Sequence, residues 1–156
     1  YGSVIANDKV GKVHKKLVEN TEELESVECI RKDSFIYFHE LISLKKKFDV
    51  IDVDPYGFPN RLFPDIFLLI DDGHLFLTMP KPYVNILNGI TQTHLTSYFG
   101  CPNPSLDEIL ERIALWGLCH WREVSLIESQ DLKSVWRLCF EVKKVKATEY
   151  TGVRNR

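Results

Sequence analysis

The chain lacks an excess of positive charge, a long apolar run and a recognisable leader. Among its 156 residues, 20 lysines and arginines stand against 22 aspartates and glutamates, which gives a formal net charge of −2. A nucleic acid would therefore have to be bound through a local basic patch. No apolar run approaches the roughly 18 to 20 residues that span a bilayer, and no signal peptide is visible. We therefore expect a cytoplasmic protein without a membrane partner.

Cysteine pairs and a dinucleotide-binding glycine motif are absent as well. None of the four cysteines lies in a C-x-x-C pair, so we expect no zinc and no other metal site. Their wide scatter favours a reducing compartment, in which free thiols behave as small buried hydrophobic groups. The absence of a G-x-G-x-x-G sequence argues against a dinucleotide-dependent oxidoreductase. The cysteines are Cys29, Cys101, Cys119 and Cys139.

What the chain does contain is an alternation of strand-like and helix-like segments. We predict strands at residues 4–6, 27–31, 48–53 and 74–79, and helices at 9–24, 34–46, 66–71 and 105–117. Two further strands, 120–128 and 135–145, are predicted to form an antiparallel hairpin with its turn at 129–131. This order predicts an α/β fold with a mostly parallel sheet, helices on both faces and the hairpin at one edge. We expect one domain over residues 1–147 and a polar tail over 148–156.

Single residues mark several of the predicted element ends. Ser105 and Glu108, three residues apart, form a capping box at a helix start, and Gly117 is predicted to end that helix. Gly73 is expected to break the chain before the strand at 74–79. The prolines up to Pro64 are expected to exclude regular structure until about residue 65.

Three of the first four predicted strands are followed by an acidic residue. Because ligands of parallel sheets bind outside the carboxyl ends of the strands, this placement indicates a site. Asp8 could accept hydrogen bonds from both hydroxyls of a ribose, or it could cap the helix that follows. Asp33 could accept from an adenine amino group, or it could cap the next helix. Asp54, the third of these residues, begins the most informative segment of the chain.

Asp54-Pro55-Tyr56-Gly57 follows a strand rich in β-branched residues. An exocyclic amine of a nucleic-acid base is a poor nucleophile because its lone pair is delocalised into the ring. A carboxylate and a proline-fixed carbonyl can accept hydrogen bonds from that amine, and an aromatic ring can stack on the base. Asp54, the Pro55 carbonyl and Tyr56 suit these roles, and Gly57 would allow close approach. The alternative interpretation is a turn that closes the strand, since aspartate, proline and glycine are common turn residues.

Taken together, these segments resemble the class I, Rossmann-like S-adenosylmethionine-dependent methyltransferases. The resemblance rests on Ile5-Ala6-Asn7-Asp8, on Asp33, and on the run from Phe48 through Asp54-Pro55-Tyr56-Gly57 to Pro59. Within the class it is most similar to the tRNA guanine-N2 methyltransferases, which carry A-N-D after the second strand and D-V-I-D-x-D-P-F/Y-G-x-P at the fourth. The match covers about residues 4–80 in the same order. The hairpin at the end of the chain is also typical of this class.

The resemblance implies S-adenosyl-L-methionine as the cofactor and an RNA or DNA base as the substrate. The similar D-P-P-Y motif of adenine methylases keeps DNA in consideration. By this resemblance one set of residues binds the cofactor, with Asp8 binding its ribose and Asp33 its adenine. A second set faces the target amine and its base. The cofactor set is Asn7, Asp8, Asp33 and Ser34; the catalytic set is Asp54, Pro55 and Tyr56; Gly57 and Phe58 would contact the substrate.

One departure from the class leaves alternatives open. No glycine-rich turn, which in this class binds the methionine part of the cofactor, precedes Val4. Either an upstream segment carries it, or the sheet is reorganised and the chain is a catalytically silent binding module or partner subunit. A small-molecule or protein methyltransferase is a third interpretation. A sheet without its first strand would expose apolar surface, which predicts a homodimer as one possible outcome.

Overall fold

The computed structural model describes residues 2–55, 58–59, 61–81 and 92–146. Their contacts fall into two units, Tyr1–Lys45 and Lys46–Arg156. Each unit alternates strands and helices, which confirms the predicted α/β fold. The single domain over residues 1–147 stays a prediction, and the predicted tail at 148–156 lies outside the described residues.

The first unit is a β-α-β-α arrangement with two short parallel strands. Their register runs from Val4 opposite Val27 to Asn7 opposite Ile30. A helical connection between parallel strands brings both carboxyl ends to the same edge. The elements are β1 (Val4–Asn7), α1 (Gly11–Thr21), β2 (Val27–Ile30) and α2 (Ser34–Ser43).

The second unit contains a four-stranded sheet with the order β3-β4-β6-β5. Strands β3 and β4 are parallel, whereas β6 runs antiparallel to both β4 and β5. The last two strands form the predicted hairpin. The described elements are β3 (Val50–Val53), α3 (Phe63–Leu69), β4 (Gly73–Pro80), α4 (Gln92–Phe99), α5 (Leu106–Cys119), β5 (Arg122–Asp131) and β6 (Val135–Lys144).

The core of the second unit lies on one face of this sheet. Alternate residues of β3, β4 and β6 are buried, as expected for a strand period of two, and buried residues of α3 and α5 complete the core. The intervening residues of the same strands form the opposite face and include Asp52, Thr78 and Arg137. The buried strand residues are Ile51, Val53, Leu75, Leu77, Met79, Leu138, Phe140 and Val142, and the helices add Phe63, Ile66, Phe67, Ile109 and Ile113.

The helix that begins after Ser105 confirms one predicted end and corrects the other. The Ser105 hydroxyl accepts from the backbone N–H of Glu108, and the Glu108 carboxylate accepts from the Ser105 N–H, which completes the capping box. Gly117 was expected to end α5, but the helix continues to Cys119. A Cβ atom at Gly117 would lie 2.3 Å from the side chain of Val124. The glycine is therefore required by the close packing of β5 on α5, rather than by a helix end.

Three other predicted boundaries were wrong for identifiable reasons. Gly73 is the first residue of β4 rather than a break, and a Cβ there would lie 2.0 Å from the carbonyl oxygen of Asp49. Pro64 lies in the first turn of α3, where backbone N–H groups have no acceptor within the helix, so the N–H that proline lacks is not needed. Residues 129–131 belong to β5, because the pairing with β6 continues to Asp131 opposite Trp136 and the turn follows at residues 132–134.

Asp71, in the segment before β4, pairs with one cation before β3 and with two on the hairpin. Lys47 donates to Oδ1 at 2.7 Å and Lys144 to Oδ2 at 3.0 Å, and Arg122 also pairs with Oδ1. The hydrogen bond from Lys47, opposed by partial burial and supported by Lys144 and Arg122, lowers the pKa of Asp71 to about 2. The carboxylate is therefore ionised in the folded chain at all but strongly acidic pH.

We expect this depressed pKa to appear as acid sensitivity of the second unit. A carboxyl group whose pKa falls from its usual 3.8 to about 2 on folding stabilises the fold above pH 3.8, and this contribution disappears as the pH falls toward 2. The free energy of unfolding should therefore decrease over that interval, and Asp71→Asn should show a shallower decrease. Urea unfolding at a series of pH values measures both, with Asp107→Asn as the exposed control. Parallel curves for wild type and Asp71→Asn would contradict this assignment.

Candidate functional site

The carboxyl ends of β1 and β2 are joined by the side chain of Asn7. Its Nδ2 donates to the Ser34 hydroxyl at 3.2 Å, and its Oδ1 accepts from the backbone N–H of Lys32 at 3.2 Å. The backbone N–H of Asp8 adds a bond to the Ile30 carbonyl at 3.1 Å. Asn7 and Ser34, both predicted cofactor ligands, thus contact each other and fix the loop after β1 to the start of α2.

Asp8 forms a local turn at the start of α1. Its Oδ1 accepts from the backbone N–H of Val10 at 2.7 Å. The N-cap of α1 is Val10 and the helix has no side-chain cap, so the interpretation of Asp8 as the cap of this helix was wrong. The carboxylate is half-buried, and among the described residues its second oxygen, Oδ2, has no partner. One oxygen of Asp8 is therefore used by the fold, and the other is available to a ligand's hydroxyl groups.

Asp33 caps α2 by accepting from the backbone N–H of Phe35 at 3.1 Å. The ammonium group of Lys9 lies 3.4 Å from Oδ2 of the same carboxylate. Partial desolvation raises the pKa of Asp33, but the hydrogen bonds from Lys9 and from the backbone of Phe35 and Ile36 outweigh it and leave the pKa lowered. Asp33, which follows β2, is therefore an ionised hydrogen-bond acceptor. One of its oxygens contacts the exposed ammonium group of Lys9. Sequence reasoning missed Lys9, although its position directly after Asp8 is a usable signal.

In the second unit the predicted catalytic segment follows β3. Asp54 is exposed and Pro55 is half-buried, directly after the buried Val53. Tyr56 and Gly57 lie outside the described residues. The ring of Phe58 packs edge-on against Phe99 with centroids 5.8 Å apart. This contact with α4 was not anticipated from the sequence.

Arg137 on β6 reaches across β4 to β3 on the sheet face that carries Asp54. Its two terminal nitrogens donate to the two carboxylate oxygens of Asp52 at 2.9 and 2.6 Å. The hydrogen bond to Asp52 raises the pKa of Arg137, and the negative charges of Asp52 and Asp54 raise it further. No sequence signal connects Asp52 with Arg137, because they lie 85 positions apart and meet only through the sheet order.

Lys81 lies directly after β4, at the edge of the sheet where β3 ends. Its side chain is buried and pairs with the exposed Asp131 at the end of β5. The ammonium group lies 5.7 Å from the ring centroid of Trp136, a cation–π distance. Its backbone N–H donates to the Ser134 carbonyl at 3.0 Å. This lysine was also missed by sequence reasoning, and it fastens the end of β4 to the hairpin turn.

The described ranges contain neither a metal-binding cluster nor a membrane-spanning helix. Within them, no group of three or more His, Cys, Asp or Glu side chains could hold a metal ion. No helix in the described part of the chain has the length and apolarity to cross a membrane. All four cysteines, which fall within the described ranges, are free thiols.

Several solved structures resemble this chain in their fold. No protein-family model and no curated protein matches the sequence. Trm1 from Pyrococcus horikoshii, solved with S-adenosyl-L-methionine, superposes on 92% of this chain at 14% identity with a TM-score of 0.72. M. jannaschii TYW2, solved with S-adenosylmethionine, matches 92% at 14% identity with a TM-score of 0.56. Aeropyrum pernix fibrillarin, solved with natively bound S-adenosyl-L-methionine, matches 89% at 10% identity with a TM-score of 0.57.

This chain spans only part of each of these proteins. It covers 44% of the Trm1 chain, 58% of the TYW2 chain and 55% of the fibrillarin chain. At these identities the likeness concerns the backbone arrangement and not the side chains of the site. The chain has the α/β fold of the Rossmann-like methyltransferases, as predicted from its sequence.

Proposed function

We propose that this chain belongs to an S-adenosylmethionine-dependent methyltransferase that acts on an exocyclic amino nitrogen of an RNA or DNA base. The observation that carries the proposal is the Asp54-Pro55 pair at the carboxyl end of a strand, in a fold whose solved relatives contain this cofactor. Acidic residues after β1 and β2 add acceptors that suit its ribose and adenine. We further propose a cytoplasmic location.

The residues after β1 and β2 suit the polar parts of the cofactor. Asp8 keeps one carboxylate oxygen for ribose hydroxyls while the other holds the turn at Val10. Asp33 is an ionised acceptor suited to an adenine amino group. Asn7 and Ser34 hold each other and would line the same pocket. When bound, S-adenosyl-L-methionine supplies an electrophilic methyl group on its sulfonium.

The residues after β3 would activate the amine. Asp54 and the Pro55 carbonyl each accept a hydrogen bond from one N–H of the exocyclic amino group, which directs its lone pair away from the ring. Asp54 then takes the proton that the nitrogen loses on becoming methylated. Acceptors held in place before the reaction stabilise the charge that develops on the nitrogen. Tyr56, Gly57 and Phe58 would form the wall on which the base stacks.

A catalytically silent module is the second candidate, and Lys9 is the observation that favours it. The ammonium of Lys9 lies at Oδ2 of Asp33, the oxygen that does not cap α2 and that an adenine amino group would share with Lys9. A chain in which this ion pair persisted would bind the cofactor weakly. We also keep the homodimer as a proposal, which sedimentation equilibrium would test.

Calorimetric titration with S-adenosyl-L-methionine tests the cofactor site. The substitution Asp8→Asn retains an acceptor for the Val10 N–H but leaves a side chain that cannot accept from two hydroxyls, so it separates the ligand role from the turn. We expect this variant to bind about ten- to a hundredfold more weakly than wild type, the effect of losing hydrogen bonds to a charged group. Glu25→Gln, an exposed carboxylate before β2, is the matched control and should bind like wild type.

The outcomes of this titration separate the two candidates. Micromolar binding that Asp8→Asn weakens supports the enzyme, and a screen for methyl transfer to RNA and DNA then tests the substrate. Folded wild-type chain that gives no heat with the cofactor would favour the silent module. Equal binding by wild type and Asp8→Asn would remove Asp8 from the site.

A further inference from the structure

Asp52 and Asp54 lie on the same face of β3. Successive strand residues point to opposite faces, and the residues that alternate with them, Ile51 and Val53, are buried in the core. The carboxylates of Asp52 and Asp54 therefore project from the polar face. Asp52 takes part in the sheet register, opposite Phe76 on β4, whereas Asp54 is one residue past the last registered pair, Val53 with Leu77.

Arg137 is on this polar face at the level of Asp54. One residue beyond Leu77 on β4 is Thr78, and Thr78 is paired with Arg137 on β6. Continuing the register therefore places Asp54, Thr78 and Arg137 in one row across three strands. The charge of Asp54 is felt at Arg137, whose pKa it helps to raise after the larger effect of Asp52.

The guanidinium group of Arg137 is held from three sides. Asp52 accepts two parallel hydrogen bonds, and the Thr78 hydroxyl accepts a third at 2.9 Å. The ring of Phe76 lies beneath the guanidinium carbon, 5.5 Å from centroid to atom. The side chain of Arg137 is 29% exposed and that of Asp52 is 54% exposed. A planar, doubly hydrogen-bonded pair of this kind has a defined geometry that a single ammonium contact does not provide.

The location of this pair distinguishes it from other exposed ion pairs. Ion pairs with such exposure add little to the free energy of unfolding. In the described sheet, however, β3 is only four residues long, lies at one edge and pairs with β4 alone. The pair between Asp52 and Arg137 gives β3 a second attachment, to β6, two residues before Asp54.

We propose that Arg137 is a positioning residue, which through its two-pronged pair with Asp52 fixes the end of β3 so that Asp54 and the Pro55 carbonyl meet the target amine. The proposal rests on the proposed function for its catalytic meaning. Arg137 acts through Asp52 and does not itself contact the substrate. Its loss should therefore reduce the rate of transfer without weakening the binding of cofactor or nucleic acid.

Steady-state kinetics of the full chain with the nucleic acid found in the substrate screen test this role. We expect Arg137→Gln to lower kcat about ten- to a hundredfold, the effect of a small misplacement of catalytic groups, with KM unchanged. Lys143→Gln is the matched control, because Lys143 is on the same strand and face and pairs with Glu141. It should leave both constants unchanged. Arg137→Lys keeps the positive charge but cannot donate two parallel hydrogen bonds to Asp52. Its kcat should lie between those of wild type and Arg137→Gln.

A charge exchange tests whether the pair, rather than either residue, is responsible. The double variant Asp52→Arg with Arg137→Asp restores an ion pair in the reverse order, so its kcat should exceed that of each single variant. If Arg137→Gln instead raises KM and leaves kcat unchanged, Arg137 is a substrate ligand and the positioning role is wrong. If both constants stay at the wild-type values, the proposal is also wrong.

A measurement that does not depend on methyl transfer separates this proposal from the proposed function. The backbone amide resonance of Asp54 in a ¹⁵N-labelled chain reports the geometry at the end of β3. It should shift in Arg137→Gln and Asp52→Asn but not in Lys143→Gln. A shift in a chain that methylates no RNA or DNA would uphold the attachment of β3 and overturn the proposed function. An unshifted Asp54 amide in Arg137→Gln would overturn the positioning role, whatever the activity.

Discussion

Replacing Asp54 by alanine is expected to abolish measurable methyl transfer while cofactor binding persists. Asp54 would accept a hydrogen bond from the target amine and take up its proton, and a positioned general base contributes about a hundred- to ten-thousandfold to a rate. The residue is exposed at the end of β3 and is not part of the core, so the fold should be retained. Single-turnover transfer to the nucleic-acid substrate measures the loss, and calorimetry measures the affinity for S-adenosyl-L-methionine.

Two comparisons make this result interpretable. Asp107→Ala removes another exposed carboxylate of the second unit, in the first turn of α5, and should transfer methyl groups at the wild-type rate. Asp54→Asn keeps the shape and one acceptor oxygen but cannot take the proton, so it should remain strongly impaired. Loss of cofactor affinity in Asp54→Ala would count against the role assigned to Asp54, as would unchanged transfer.

Arg122→Ala is expected to cause the largest loss of stability among the polar substitutions considered. The side chain is 7% exposed. It donates to the carbonyls of Ile70 at 2.6 Å, His120 at 2.9 Å and Trp121 at 3.0 Å, and it pairs with Asp71. Removing one partner of a buried ion pair typically costs about 3 to 5 kcal/mol. We expect a loss of about 3 kcal/mol, because Lys47 and Lys144 still neutralise Asp71.

Urea unfolding followed by tryptophan fluorescence measures this loss. All three tryptophans lie in the second unit, so their emission reports on the unit that contains Arg122. Arg122→Met retains the apolar stem of the side chain and should lose less than alanine. Lys143→Ala removes an exposed cation and should change the free energy of unfolding by less than about 0.5 kcal/mol. A stability of Arg122→Ala equal to that of Lys143→Ala would refute the importance of the buried contacts.

The parts of the fold that depend on local physics could be predicted from the sequence. The capping box at Ser105 is confirmed because both of its hydrogen bonds form within four residues. The strands before Asp8, Asp33 and Asp54 were found because short apolar runs ended by polar residues are typical of buried parallel strands. The capping role of Asp33, offered as one of two interpretations, was also readable from its place before a helix.

The parts that depend on contacts between distant segments could not be predicted. The pairing of Arg137 with Asp52 follows from a sheet order in which β6 is placed next to β4, and no local pattern specifies that order. Gly117 has the sequence appearance of a helix end, yet it is explained by the side chain of Val124 on the neighbouring strand. The burial of Arg122 likewise depends on a carbonyl 52 positions away. The roles of Asp8, Asp33 and Asp54 toward ligands stay predictions.

The bulge in β5 has a consequence for the behaviour of the chain at high concentration. β5 is a ten-residue edge strand, and its apolar Leu126 and Ile127 are exposed. A long, flat edge of this kind is a template for the addition of strands from other molecules. The shift of register between Leu126 and Glu128 interrupts the regular spacing of the free N–H and C=O groups. The bulge therefore makes β5 a poorer template for edge-to-edge aggregation.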